Sequence, residues 1–406
     1  MGTIQINLLY TLLTAMIVLC SGGLLGERVP FLKRFSIPAP VVGGVLIAVI
    51  LAVADSLTGT RVSFDMSLKD PLLLMFFVTV GLSADIRMLM KGGPQMMKFL
   101  LVCSGLILLQ DVVGILSALA LDLHPAVGLL AGSITLAGGH GTGAAYALRF
   151  GETMGVRGAM EMAMACATAG LVLGGLLGGA VSESLIKRDH LSAIGDEGDS
   201  EDSAAEAPSP ESSENISAKS FLYTLFVILA CLGAGKYLAS VVEKTGFILP
   251  DFLFCLLLGV ILRNLLSLTK NVHINERTVD LLGNVSLSMF LVMALMSLNL
   301  KDLASVAGPL FIILAIQTVV MVIYVRQVTF AVMGRNYDAA VLAGGNVGFG
   351  MGTTAVALAV IKAVTDRSGP SRMAFLIIPI VGAFFMDITN AVVIQGFLAL
   401  PFFKFG

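Results

Sequence analysis

Asp387 stands in Phe385-Met386-Asp387-Ile388-Thr389-Asn390, well inside an apolar run, where a carboxylate is costly enough to mark an ion or substrate pathway. Asn390 follows three positions on and shares its helix face, so the pair suits a hard cation or an ammonium group. A second source of chemistry is backbone. Ser133 to Ala145 reads Ser-Ile-Thr-Leu-Ala-Gly-Gly-His-Gly-Thr-Gly-Ala-Ala, and Gly344 to Ala355 reads Gly-Gly-Asn-Val-Gly-Phe-Gly-Met-Gly-Thr-Thr-Ala. Glycines this dense break a helix, and the amides and carbonyls they free at membrane depth survive only inside protein or beside a wet cavity. Gly138, Gly139, Gly141 and Gly143 in the first stretch and Gly348, Gly350 and Gly352 in the second then offer N–H groups to an anion and carbonyls to a cation. Ser133, Thr135, His140, Thr142, Asn346, Thr353 and Thr354 stand beside them as side-chain donors and acceptors.

Each of these residues has a plainer use. Glycines let membrane helices pack closely, which is the reading for the pairs Gly174-Gly175 and Gly178-Gly179. A lone Ser or Thr commonly bonds its own helix backbone. His140 either donates to a carboxylate, carries a proton, or only bonds nearby oxygens. Glu161 lies near the start of an apolar span and reaches water or an ion, and Asp111 beside Gln110 is a weaker candidate of the same kind. Arg326, Arg335 and Arg372 read as anchors at a membrane face, one of which can pair with a carboxylate.

The elements that must hold these residues are membrane helices. Of 406 residues 57% are hydrophobic and 13% charged, with a mean hydropathy of +0.94. Soluble domains carry about 25% charged residues, so the composition gives a polytopic, all-α membrane protein. A net charge of −2 excludes a basic nucleic-acid footprint, and the five cysteines have no metal-ligand spacing. The first apolar segment lacks basic residues ahead of it and a small-residue cleavage site after it, so it is kept as a span.

Apolar windows of spanning length fall near 8–25, 38–54, 70–86, 98–121 and 160–186, then 220–242, 249–267, 281–299, 307–331 and 373–402. The glycine stretches make two further segments, 125–150 and 338–364, which read as re-entrant hairpins. Residues 188–219, containing Asp196-Glu197-Gly198-Asp199-Ser200-Glu201-Asp202, form an acidic flexible linker between an N-terminal repeat, 1–187, and a C-terminal repeat, 220–406. Five spans per half make the repeats inverted, as in many secondary transporters. Ile37-Pro38-Ala39-Pro40 before Gly43-Gly44 has its counterpart in Leu249-Pro250-Asp251 before Gly259. With both termini outside, most basic residues, among them Arg28, Lys33, Arg34, Arg87, Lys91, Lys187, Arg188, Arg263, Lys270 and Arg277, collect on the cytoplasmic side together with the linker.

The two glycine stretches resemble those of the sodium:glutamate symporter family. The likeness extends through Phe64-Asp65-Met66-Ser67-Leu68-Lys69-Asp70-Pro71, Leu129-Leu130-Ala131-Gly132-Ser133-Ile134-Thr135, Leu282-Gly283-Asn284-Val285-Ser286-Leu287-Ser288 and Asn336-Tyr337-Asp338-Ala339-Ala340, leaving out only residues 187–220. The resemblance implies sodium-driven uptake of L-glutamate across the inner membrane. It also implies inverted five-helix repeats with a glycine-rich loop in each, and, through kinship with sodium-citrate carriers, a homodimer working by an elevator movement. Sodium ligands are then expected among Ser133, Thr142, Asn346, Thr354, Asp387, Asn390 and Glu161, with sodium the coupling ion and no cofactor. The second loop departs from the family pattern at Asn346-Val347 and Thr353-Thr354-Ala355-Val356, which leaves carriage of citrate or another small dicarboxylate as the alternative. No His-Glu-x-x-His, Gly-x-Ser-x-Gly or phosphate loop supports an enzyme, and two unlike halves suit alternating access better than a channel.

Overall fold

A computed structural model describes residues 2–34, 37–85, 93–192, 216–244, 250–266, 274–297, 300–400 and 403. Most of the expected linker, and parts of the loops carrying Arg87, Lys91 and Lys270, lie outside the described residues. The chain is a bundle of helices: α1 Leu8–Arg28, α2 Ala39–Thr58, α3 Lys69–Ser83, α4 Gly93–Ala120, α5 Pro125–Leu129, α6 Gly139–Met154 and α7 Ala159–Arg188. After the linker come α8 Ala218–Glu243, α9 Asp251–Leu266, α10 Glu276–Met296, α11 Leu300–Tyr324, α12 Tyr337–Gly350, α13 Thr354–Ser368, α14 Arg372–Ile380 and α15 Met386–Leu398.

The ends of these helices follow from local chemistry. The side chains of Asn7, Ser217, Asn275, Asn336 and Ser371 each accept a hydrogen bond from a first-turn amide. Pro38 and Pro40 start α2, and Gly59, with φ +63°, ends it.

Among the described residues, seven helices are long and apolar enough to cross a membrane. Three of the ten expected spans depart from that simple form. α3 and α9 have only 15 and 16 residues, and the last span is divided into α14, the wide turn Val381–Phe385 and α15. Pro379 explains the last case, because its ring denies the preceding turn a hydrogen bond.

Among the described residues, one element is not helical. Gly2–Ile6 and Thr60–Phe64 pair as parallel strands, Gly2 facing Thr60 and Ile6 facing Phe64, so the start of α1 and the end of α2 lie at one end of the bundle. The all-α expectation is corrected there. Both segments alternate polar and apolar side chains, Thr-Ile-Gln-Ile against Arg-Val-Ser-Phe, which suits a strand with one covered face.

Helices meet where glycine lets backbone approach backbone. A Cβ at Gly81 of α3 would lie 2.2 Å from the Leu256 carbonyl oxygen of α9, and one at Gly22 of α1 2.1 Å from the Ala39 oxygen of α2. On α7, Gly170, Gly174 and Gly178 form a stripe against α12 and its end, with Cβ positions 2.3, 3.2 and 2.8 Å from the carbonyl oxygens of Met351, Gly348 and Gly344. Packing is thus the use of Gly174 and Gly178, as the sequence suggested, and it extends to Gly344 and Gly348.

Candidate functional site

Two helical hairpins bring their turns together. The first is built by α5 and α6, and its helical path fails earlier than the dense glycines suggest. Gly132, with φ −100° and ψ −137°, leaves helical geometry in the middle of the wide turn Leu130–Ile134. The Ser133 amide freed there donates to Asp111 Oδ1 on α4 at 3.0 Å. Ser133 Oγ donates to Asn390 Oδ1 at 2.6 Å, and Asn390 Nδ2 donates back to the Ser133 carbonyl at 3.0 Å. Thr135 Oγ1 returns to the Leu130 carbonyl at 2.6 Å. The turn closes through Gly138 and Gly139, the latter at φ +65°, a conformation glycine adopts without strain. Gly141 and Gly143 are already helical and serve close packing against Phe76 and Thr135.

The second hairpin joins α12 to α13. The expected break across Gly344 to Gly350 does not occur, because α12 runs through Gly350 and turns only at 351–353. Its glycines sit in close packing, Gly348 against the Ala357 backbone and Gly345 and Gly350 against the side chains of Ile378 and Met321, so closeness rather than loss of helix accounts for them. Thr353 caps α13, its Oγ1 accepting from Val356 N–H at 3.3 Å. The tips touch: a Cβ at Gly139 would lie 3.9 Å from both the Gly352 oxygen and Thr353 Cγ2.

A cavity of about 470 Å³ opens at this meeting point. Gly138, Gly139, His140 and Gly141 line it from one tip and Gly352, Thr353, Thr354 and Ala355 from the other. Gly382 and Asp387 add to it from the divided last span, and Phe76, Asn284, Leu287, Ser288 and Leu291 close the opposite wall. The N-termini of α6 and α13, each the positive end of a helix dipole, therefore border one chamber that also holds a carboxylate. Among the described residues, no Lys or Arg lines it. Such a chamber suits a small zwitterion, whose carboxylates face the helix ends while its ammonium faces Asp387.

Other expected residues stand behind the chamber rather than in it. Ser133, Thr135 and Asn390 hold the first hairpin's shape through the bonds above. Asn346 is turned toward α4 and the wide turn Val325–Thr329 that follows α11, donating to Thr329 Oγ1 at 2.9 Å and accepting from Cys103 Sγ at 3.6 Å. Gly348 and Gly350 pack within α12, and Thr142 is buried beside Gly138. Glu161 lines a different, largely apolar cavity with Thr168 and Phe311. Arg326 donates to Ser184 Oγ at 2.7 Å, away from the chamber.

His140 Nε2 lies 3.1 Å from Thr168 Oγ1, whose hydroxyl also reaches the Met164 carbonyl at 2.8 Å, so the ring is bonded to a neighbouring helix while it lines the chamber. Asn284 and Ser288 were not singled out from sequence, although a polar pair at i, i+4 on an apolar helix was a legible signal.

The profile of the family described as sodium/glutamate symporter matches residues 4–370. The sodium/glutamate symporter of Escherichia coli (strain K12) is 48% identical over 399 residues, covering 98% of this chain and 99% of the relative. That of Haemophilus influenzae is 45% identical over 385 residues, 95% of each chain. These relatives carry the names of transporters, not enzymes.

Proposed function

The chain belongs to the sodium/glutamate symporter family, and from that premise we propose that it carries L-glutamate together with sodium across the inner membrane by alternating access. The observation that carries this reading is the chamber where two helix N-termini and Asp387 meet. The α-carboxylate and side-chain carboxylate of glutamate take the amides at Gly139–Gly141 and Thr354–Ala355, and the ammonium takes Asp387. Its volume of about 470 Å³ lies within the usual range for small-molecule sites, about 300–1,000 Å³. Sodium lies beside Asp387 and Thr354, with carbonyls of the interrupted backbone completing its oxygen shell. Ser133, Thr142, Asn346 and Asn390 act one layer out, fixing the tips, and Glu161 guards the neighbouring apolar crevice.

The hairpins are re-entrant in this proposal. α12 has 14 residues, about 21 Å at 1.5 Å per residue, which falls short of about 30 Å of hydrocarbon. An inverted duplication is supported by matched contacts. α1 meets α2 at Gly22 and Gly43, while α8 meets α9 at Gly235 and Cys255. α2 meets α10 at Gly44 and Leu295, while α9 meets α3 at Gly259 and Gly81.

An elevator movement is supported by how the polar bonds are distributed. Gln110 to Gly350, Ser133 to Asn390 and Ser182 to Ala340 tie both hairpins, α4, α7 and α15 into one packet. The wall facing that packet across the chamber presents Phe76, Leu287 and Leu291, with Asn284 and Ser288 as its polar members. The termini are outside and the acidic linker cytoplasmic, as the basic residues favour, and the protein works as a homodimer, as the family resemblance implies.

Uptake by proteoliposomes tests the proposal. Labelled L-glutamate is expected to accumulate only under an inward sodium gradient and to exchange with unlabelled glutamate. Leak independent of the gradient, or accumulation of citrate but not glutamate, would refute it.

A further inference from the structure

Behind the hairpins, where α4 crosses α11, three side chains are fully buried and each keeps an oxygen with no donor among the described residues: Gln110 Oε1, Asp111 Oδ2 and Gln317 Oε1. Their orientations are fixed by what the remaining atoms do. Gln110 Nε2 donates to the Gly350 carbonyl at 2.8 Å and Gln317 Nε2 to the Gln110 carbonyl at 2.6 Å. Neither amide can turn over without setting its oxygen against a carbonyl. Asp111 Oδ1 takes the Ser133 amide, and among the described residues Asp111 enters no salt bridge. The three side chains are neighbours through the backbone of α4: Gln110 and Asp111 are adjacent in sequence, Gln317 bonds the Gln110 carbonyl, and Gly132 packs on the same place, its Cβ position 3.0 Å from Asp111 Oδ1 and 3.1 Å from the Gln110 carbonyl.

Three acceptors without donors are expensive to bury. One water supplies two protons and leaves the third oxygen bare; a proton on Asp111 serves one partner. A monovalent hard cation bound among them would supply the missing partner and also balance the carboxylate. One carboxylate with two amide oxygens is an all-oxygen set of single negative charge, which suits sodium rather than a transition metal. We propose that Gln110, Asp111 and Gln317 form a sodium site separate from the chamber at the hairpin tips, and that an ion there locks both hairpins in their substrate-binding shape.

The locking follows from the shared ligands. Asp111 holds the first hairpin at Ser133, and Gln110 holds the second at Gly350. An ion that draws Oδ2 and Oε1 together also fixes the carboxylate and the amide whose other atoms anchor those two segments. Sodium thereby binds before glutamate and prepares the chamber without touching the substrate. This inference rests on the sodium coupling proposed above.

The test uses the full-length protein, purified and reconstituted. For the wild type, sodium chloride raises the unfolding temperature relative to choline chloride with no glutamate present. Asp111→Asn keeps an acceptor for the Ser133 amide but removes the charge. It is expected to abolish that shift, to raise the sodium concentration for half-maximal uptake by at least about tenfold, and to lower the Hill coefficient for sodium by about one. Gln317→Leu removes one ion oxygen, leaves both hairpin ties in place and keeps the core filled, so it guards against misfolding of the first variant; it is expected to weaken sodium activation in the same direction. A folded Asp111→Asn protein with wild-type sodium titration overturns the site, as does unchanged sodium activation in Gln317→Leu. Wild-type uptake that ignores sodium would instead overturn the symport on which the site depends.

Discussion

Gly170→Ala is expected to damage glutamate binding from a position outside the chamber. The added methyl would sit 2.3 Å from the Met351 carbonyl oxygen, at the turn of the second hairpin, and backbone cannot swing aside as a side chain tip does. The turn must move by about 1 Å to restore contact, and overpacking of this kind costs about 1–3 kcal/mol. If that cost falls on the binding-competent hairpin, apparent glutamate affinity falls by about 5- to 150-fold. The same stripe supplies its own controls. Gly178→Ala meets the Gly344 oxygen at 2.8 Å and Gly174→Ala the Gly348 oxygen at 3.2 Å, whereas Gly179→Ala meets nothing within 4 Å. Uptake and thermal unfolding should therefore rank Gly179→Ala as harmless, Gly174→Ala as mild, and Gly178→Ala and Gly170→Ala as progressively worse. Equal behaviour of Gly170→Ala and Gly179→Ala would refute the argument that this stripe sets the position of the hairpin.

Asn390→Ala removes both bonds to Ser133 and should destabilise the protein by about 2 kcal/mol, at about 1 kcal/mol per buried bond, with lowered uptake at limiting glutamate. Asp387→Asn should leave folding intact and remove the sodium dependence of glutamate uptake; unchanged dependence would place neither ion nor ammonium there. His124 accepts the Ala126 amide through Nδ1, and burial pulls its pKa below the ordinary 6.5. Its contribution to stability is accordingly present above pH 6.5 and lost as pH falls through the folded-state value, so unfolding temperature should drop on acidification and His124→Asn should flatten that drop.

The turns near Gly138-Gly139 and Gly352-Thr353 were legible, because few membrane helices tolerate such backbone. Gly132 was not, since a lone glycine within Leu-Leu-Ala-Gly-Ser-Ile gives no sign that its ψ will leave the helical region. Gly344 and Gly348 misled in the other direction: a break and a packing stripe use the same residue, and only the partner stripe Gly170, Gly174 and Gly178 decides between them. Asp387 was found from its depth in an apolar run. Gln110 and Gln317 escaped because each is unremarkable alone and becomes chemical only when α4 and α11 cross, a pairing that spans 207 positions of sequence. Asn346 was assigned to the tip by its neighbours, yet on a continuous helix its direction is set by the 3.6-residue period, which turns it toward Cys103 and Thr329.

The strand pair of Gly2–Ile6 with Thr60–Phe64 imposes an order on biogenesis. The ribosome must deliver both opening helices before the first residues find their mate, and those residues must already have reached the same side of the bilayer as the end of α2. A leading peptide kept behind would leave the Thr60–Phe64 edge without its ladder and the opening helix pair without a clasp. Bulky extensions ahead of Gly2 are for that reason a greater hazard to assembly than extensions elsewhere on the surface.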